Sequence, residues 1–137
     1  MDKPPHPEKV FRRVHHPHVL YIDDNEDHLL LVKEWLKRVH QEINLDLEKS
    51  GEKALQRTKD GDFDLILLDY KLTDQDGLKL LRKMKRQGVK CPIVILTGQG
   101  DENVAVQAIK LGAQDYLPKE AGNLDKVVQM IEKIIVH

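Results

Sequence analysis

Residues 63–77 read FDLILLDYKLTDQDG, and this stretch decides the fold. Leu65 to Leu68 form an apolar run with no alternation, as in a strand covered on both faces. The run stops at Asp69, a charge that such a strand can deliver only at its end. Polar turn residues follow. Gly77 then opens a helix-period segment containing Leu78, Leu81 and Met84. The unit is a buried strand, a loop and an amphipathic helix.

The same unit recurs on either side. VLYI at 19–22 is another continuous apolar run, followed by a helical stripe of Leu29, Val32, Leu36 and Val39. Trp35, beside that stripe, is expected in the core. Residues 43–48 alternate through Ile43, Leu45 and Leu47, as a half-exposed strand does, and 51–60 read as a short helix. IVIL at 93–96 is a third buried strand. Residues 101–111 carry Val104, Ala108 and Leu111 on one helical face, stopped by Gly112. Tyr116 and Leu117 sit in a short last strand. A final helix starts near Leu124, with Val127, Val128, Ile131, Ile134 and Ile135 on its apolar side. Five strand–helix units predict an α/β fold, a five-stranded doubly wound parallel sheet with helices on both faces. The flavodoxin-like (βα)5 order 2-1-3-4-5 puts strand two at an edge, and strand two is the one that alternates.

The 137 residues suffice for one domain. Residues 1–17 read as a flexible arm, with Pro4, Pro5, Pro7 and Pro17 against regular structure, and 18–137 as the folded domain. Val10, Phe11 and Val14 are the arm residues able to pack back on the body. His6, His15, His16 and His18 are read as surface histidines rather than a metal site. Cys91 is the only cysteine, so no internal disulfide is available. It is read as a small half-buried thiol at a strand start, not a redox centre. Lys and Arg number 22 against 23 Asp and Glu, for a net charge of −1. That balance gives no general grip on nucleic acid or an anionic membrane. No run approaches the roughly 20 apolar residues of a membrane span. The N-terminus lacks the apolar segment of a secretory signal. A cytoplasmic location is the expectation.

In an open parallel sheet, ligands sit beyond the carboxyl ends of the strands. Strand one ends there in Asp23 and Asp24, strand three in Asp69 and strand four in Thr97. Strand five leads through Pro118 to Lys119. Taken singly, each is ordinary: an Asp after a strand is commonly a turn or helix cap. Together they bring three carboxylates, a hydroxyl and an ammonium to one rim. Clustered carboxylates repel, and a hard divalent cation relieves them. Three carboxylates, one Mg2+ and one ammonium balance to neutrality, so a phosphoryl group would not meet an anionic site.

The stretches YIDDNEDHLLL, LILLDYKLTDQDGL and IVILTGQGDENVAVQAIKLGAQDYLPKE resemble the receiver domain of response regulators, over about residues 18–137. The resemblance implies that Asp69 takes a phosphoryl group as an acyl phosphate. It implies Mg2+ on Asp24, Asp69 and the backbone carbonyl of Lys71, with Asp23 holding the ion through water. Thr97 and Lys119 would bind phosphoryl oxygens. Tyr116 would be the switch aromatic that turns inward with Thr97, and Gly98 would leave room for that movement. The expected partners are a sensor histidine kinase or a histidine phosphotransfer protein and a downstream protein. A phosphorylation-dependent homodimer is also allowed, while neither nucleic acid nor membrane is contacted directly. The last helix, with strand five and helix four, is the expected output face. No output segment follows residue 137 here, so a stand-alone regulator and a receiver excised from a longer chain are both expected forms.

Some residues depart from the family pattern. Lys119 is followed by Glu120 instead of Pro, so a trans bond or a local distortion is expected there. Thr73 replaces a common Pro, which predicts a more mobile loop. Lys71 and Gln99 occupy positions that tune acyl-phosphate lifetime. The expectation is a phosphoacceptor with self-catalysed transfer, not an enzyme acting on an external substrate. A magnesium-dependent phosphohydrolase usually needs a second acid where Lys71 stands, and there is no cap segment. A flavodoxin-like cofactor binder needs a phosphate cradle where this chain has DDNED. A phosphorylation-independent interaction module would not need the full set of site residues.

Overall fold

The apolar runs become five parallel strands: β1 (His18–Ile22), β2 (Asn44–Glu48), β3 (Leu65–Asp69), β4 (Ile93–Thr97) and β5 (Asp115–Pro118). Their order is 2-1-3-4-5, as the alternating edge strand predicted. The computed structural model describes residues 16–98, 102–119 and 124–136. Five α-helices follow the strands: α1 (Glu26–Val39), α2 (Gly51–Asp60), α3 (Gly77–Arg86), α4 (Glu102–Lys110) and α5 (Asp125–Ile131).

Because successive strand residues face opposite sides, the sheet feeds two separate cores. Val19, Tyr21, Leu65, Leu67, Val94 and Leu96 meet Leu29, Val32 and Leu36 of α1 and Val127, Val128 and Ile131 of α5. Leu20, Ile22, Ile66, Leu68, Ile93 and Ile95 meet Ala54 of α2, Leu80, Leu81 and Met84 of α3, and Ala108 of α4. Three helices are capped by the residue just before them. Asn25 accepts from the Asp27 and His28 N–H groups, Ser50 from Lys53 N–H, and Asp76 from Leu78 N–H.

Several expectations need correction. Trp35 is 43% exposed and Val39 49%, so the buried stripe of α1 is only Leu29, Val32 and Leu36. Trp35 adjoins Leu36 in sequence and is therefore about 100° away around the helix. The final helix is not uniform: α5 widens into a π-helical stretch, Glu132–Val136, with Ile134 and Ile135 still against the core. Glu132 sits at that junction, its carboxylate 2.6 Å from His40 Nε2 at the end of α1. His18 is no arm histidine. It opens β1, its Nε2 lies 2.7 Å from Asp46, and its ring tilts against Phe63 at 4.4 Å. His16 is exposed, whereas His6, His15, Val10, Phe11 and Val14 fall outside the described residues. Cys91 is half-buried just before β4. Among the described residues, no helix is long and apolar enough to cross a membrane.

The loop after Asp69 closes tightly on Gly77. Gly77 N–H donates to the Tyr70 carbonyl at 2.8 Å. A Cβ on Gly77 would lie 2.7 Å from Tyr70 Cα and 2.8 Å from the Asp69 carbonyl oxygen. Those neighbours are backbone and cannot swing aside. Gly77→Ala is therefore expected to lose about 1–3 kcal/mol of stability. Urea denaturation checks this, and an unchanged midpoint would contradict the close approach.

Candidate functional site

β1 and β3 are neighbours, so their ends bring Asp23, Asp24 and Asp69 together. One oxygen from each lies within 4.8 Å of the others. Asp23 is fully buried, Asp69 is 8% exposed and Thr97, ending β4, is 3% exposed. Asp24 stands at the solvent rim. Lys119 follows β5, its N–H donating to the Thr97 carbonyl. Its ammonium reaches inward and bridges Asp23 Oδ2 at 2.5 Å and Asp69 Oδ2 at 3.0 Å. All five residues singled out at the strand ends thus meet at one rim.

The two buried carboxylates are not equivalent. Burial pushes Asp23 up, but the Lys119 ammonium, the Asn25 N–H and the Tyr21 hydroxyl outweigh it and hold the group below its ordinary value. The Asn25 bond measures 2.9 Å and the Tyr21 bond 2.8 Å. Asp69 accepts only from Lys119 and, at 3.3 Å, from the Lys71 N–H among the described residues. Burial dominates there, and despite Lys119 the charge of Asp23 helps raise Asp69 to about 6. Asp69 is therefore the buried carboxylate that is strained when ionised and least committed to partners.

Tyr21 was not singled out by the sequence, where it reads as one residue of an apolar run. A usable signal existed. A phenol in a strand covered on both faces needs a partner, and Asp23, two residues on, shares its side. Burial, with Asp23 next, pushes the phenol well above its ordinary value. Thr73 also differs from expectation. Its hydroxyl donates to Asp24 Oδ2 at 2.7 Å, tying the loop it was expected to loosen. No local pattern predicts that contact between residues 49 apart.

Lys71 is exposed, and its backbone pairs with Asp76 across the loop. Tyr116 lies in β5 opposite Ile95 and is 42% exposed. Gly98 is half-buried after Thr97. Gln99 and Glu120, and with Glu120 the Lys119–Glu120 bond, fall outside the described residues. An all-oxygen set of three carboxylates, with one ammonium to offset it, fits a hard divalent cation such as Mg2+.

The raised group sets a pH dependence for the metal-free protein. Folded Asp69 holds its proton more tightly than the unfolded chain does, with an ordinary value of 3.8. Its contribution to stability is full below that value and is lost as pH rises through about 6. Asp23 works the other way, losing its contribution as pH falls through its depressed value. In EDTA at pH 7.5, Asp69→Asn is expected to be more stable than wild type by on the order of 1–3 kcal/mol. Thermal denaturation between pH 4 and 8 should show the decline of wild type flattened in the variant.

The family model described as the response regulator receiver domain matches residues 19–132. The transcriptional regulatory protein ZraR of Escherichia coli (strain K12) is 31% identical over 119 residues, 87% of this chain and 26% of that protein. The chain thus spans about a quarter of that regulator. The receiver domain of NtrX from Brucella abortus superposes with a TM-score of 0.73 at 30% identity, covering 86% of this chain and 98% of that one. A response regulator from Burkholderia pseudomallei with a phosphorylated aspartic acid and a calcium ion gives a TM-score of 0.71 at 28% identity, covering 82% and 64%.

Proposed function

The chain belongs to the response regulator receiver domain family of two-component signalling, and from that premise we propose that Asp69 accepts a phosphoryl group and that its arrival changes the partner-binding surface. The observation that carries this reading is the division of labour between the buried acids. Among the described residues, Asp23 accepts from three donors, whereas Asp69 accepts only from the Lys119 ammonium and, at 3.3 Å, from the Lys71 N–H.

In the proposed step, an Asp69 oxygen attacks the phosphorus of a phosphohistidine. The new P–O bond forms as the P–N bond breaks, and the leaving imidazole takes up a proton. Lys119 turns from the two carboxylates to a phosphoryl oxygen, and the Thr97 hydroxyl donates to another. Asp24, Asp69 and the Lys71 carbonyl would hold Mg2+ directly, with Asp23 acting through water. When bound, the ion supplies positive charge beside the transferring group. The protein's own share is positioning and charge balance. We read it as a phosphoacceptor with self-catalysed transfer and loss, not as an enzyme with an external substrate.

The switch follows from adjacency. Thr97 ends β4 and Tyr116 lies one strand over, opposite Ile95. Movement of Thr97 toward the phosphoryl group opens the space into which Tyr116 turns. Val106 and Ile109 of α4 are also exposed and supply the apolar part of the output surface. Its occupant is a downstream protein or a second copy of the chain, not nucleic acid or membrane. A cytoplasmic setting suits a histidine kinase or phosphotransfer protein as donor. The donor protein is assigned to α1, which starts directly after the Asp23–Asp24 pair. Leu30, Leu31 and Trp35 are exposed on that helix.

Incubation with Mg2+ and acetyl phosphate should add one acid-labile phosphate, detectable as a mass increase. Asp69→Ala should carry none, and full labelling of that variant would end the proposal. Trp35→Ala should slow transfer from a phosphorylated histidine protein about tenfold while leaving labelling by acetyl phosphate unchanged. Equal slowing with both donors would remove α1 as the docking helix.

A further inference from the structure

His28 lies on the first turn of α1, facing the acidic rim. Its Nδ1 is sealed from solvent and, among the described residues, has no hydrogen-bond partner. It stops 3.5 Å from Asp23 Oδ2. A buried polar atom left unpaired is costly, so this one calls for a partner in another state of the site.

The neighbouring cap fixes what that atom offers. Asn25 Oδ1 is committed to the Asp27 and His28 N–H groups. The Asn25 amide nitrogen therefore faces His28 Nε2, at 3.4 Å. An amide NH2 can only donate, so Nε2 accepts, and the neutral imidazole carries its hydrogen on Nδ1. A donor thus lies 3.5 Å from Asp23 Oδ2, which Lys119 and Tyr21 already occupy. A divalent cation among the three carboxylates repels the Lys119 ammonium that bridges two of them. Its departure frees an acceptor position on Asp23 Oδ2, the oxygen that lies 3.5 Å from His28 Nδ1.

We propose that His28 is a positioning residue whose Nδ1–H takes over on Asp23 when a divalent cation displaces Lys119, keeping the buried carboxylate turned toward the ion. This rests on the metal-binding reading above. It assigns to this chain's His28 a hydrogen bond that steadies an acid beside the ion, an effect of the kind that alters metal affinity by an order of magnitude.

The test is Mg2+ binding by calorimetry on the full chain, with wild type, His28→Leu and His28→Gln. His28→Leu should weaken binding about tenfold, and His28→Gln, which keeps an N–H donor, should recover most of the loss. In the wild type, the His28 Nδ1–H proton resonance should move downfield and exchange more slowly on addition of Mg2+. A purely structural role would change the metal-free melting temperature and leave that resonance in place. Binding by a folded His28→Leu within about twofold of wild type overturns the inference, as does a resonance unmoved by Mg2+. The resonance is read on wild type, so it decides the matter even where a variant does not fold. A wild-type chain that takes up no Mg2+ removes the metal site itself, and this inference with it.

Discussion

Two buried carboxylates share one ammonium, and the rest of the structure is arranged around that contact. Asp23 and Asp69 sit at the ends of adjacent strands, and Lys119 reaches both from beyond β5. One positive charge cannot satisfy two acids in a poorly solvated site. The shortfall falls unevenly because, among the described residues, Asp23 has two further donors and Asp69 has only a long bond from Lys71 N–H. Asp69 therefore remains the group for which a cation or a bond to phosphorus brings relief. The reactivity proposed for it is the counterpart of its poor stabilisation.

The scaffold keeps this arrangement fixed. Strand ends buried on both faces leave the backbone of Asp69 and Thr97 little freedom. The loops that follow are pinned by caps and close approaches. Asn25 serves twice: its side chain caps α1 and its N–H donates to Asp23. Gly77 lets α3 start against the backbone of Asp69 and Tyr70. Thr73 links the loop after β3 to Asp24 on the loop after β1. A helix start, a tight loop and a charged cluster are thus one connected unit, with the stability of the two cores beneath it.

What the sequence determined by itself was whatever local pattern carries. Unbroken apolar runs marked the inner strands, alternation marked the edge strand, and the strand ends delivered Asp23, Asp24, Asp69, Thr97 and Lys119. These readings hold because side-chain period and strand-end chemistry depend on near neighbours in the chain. The fold then needed only right-handed crossovers to bring the ends together.

The tertiary structure alone decided how those groups divide the available donors. Trp35 fell on the shoulder of its helix because the sheet covers a narrower stripe than the sequence pattern suggested. The Tyr21 bond had a legible cue in the strand period. The Thr73 bond to Asp24 and the approach of His28 to Asp23 had none. The unequal proton affinities of Asp23 and Asp69 were likewise hidden. Such properties depend on distances of a few ångströms between side chains brought together by packing, and one-dimensional spacing does not encode them.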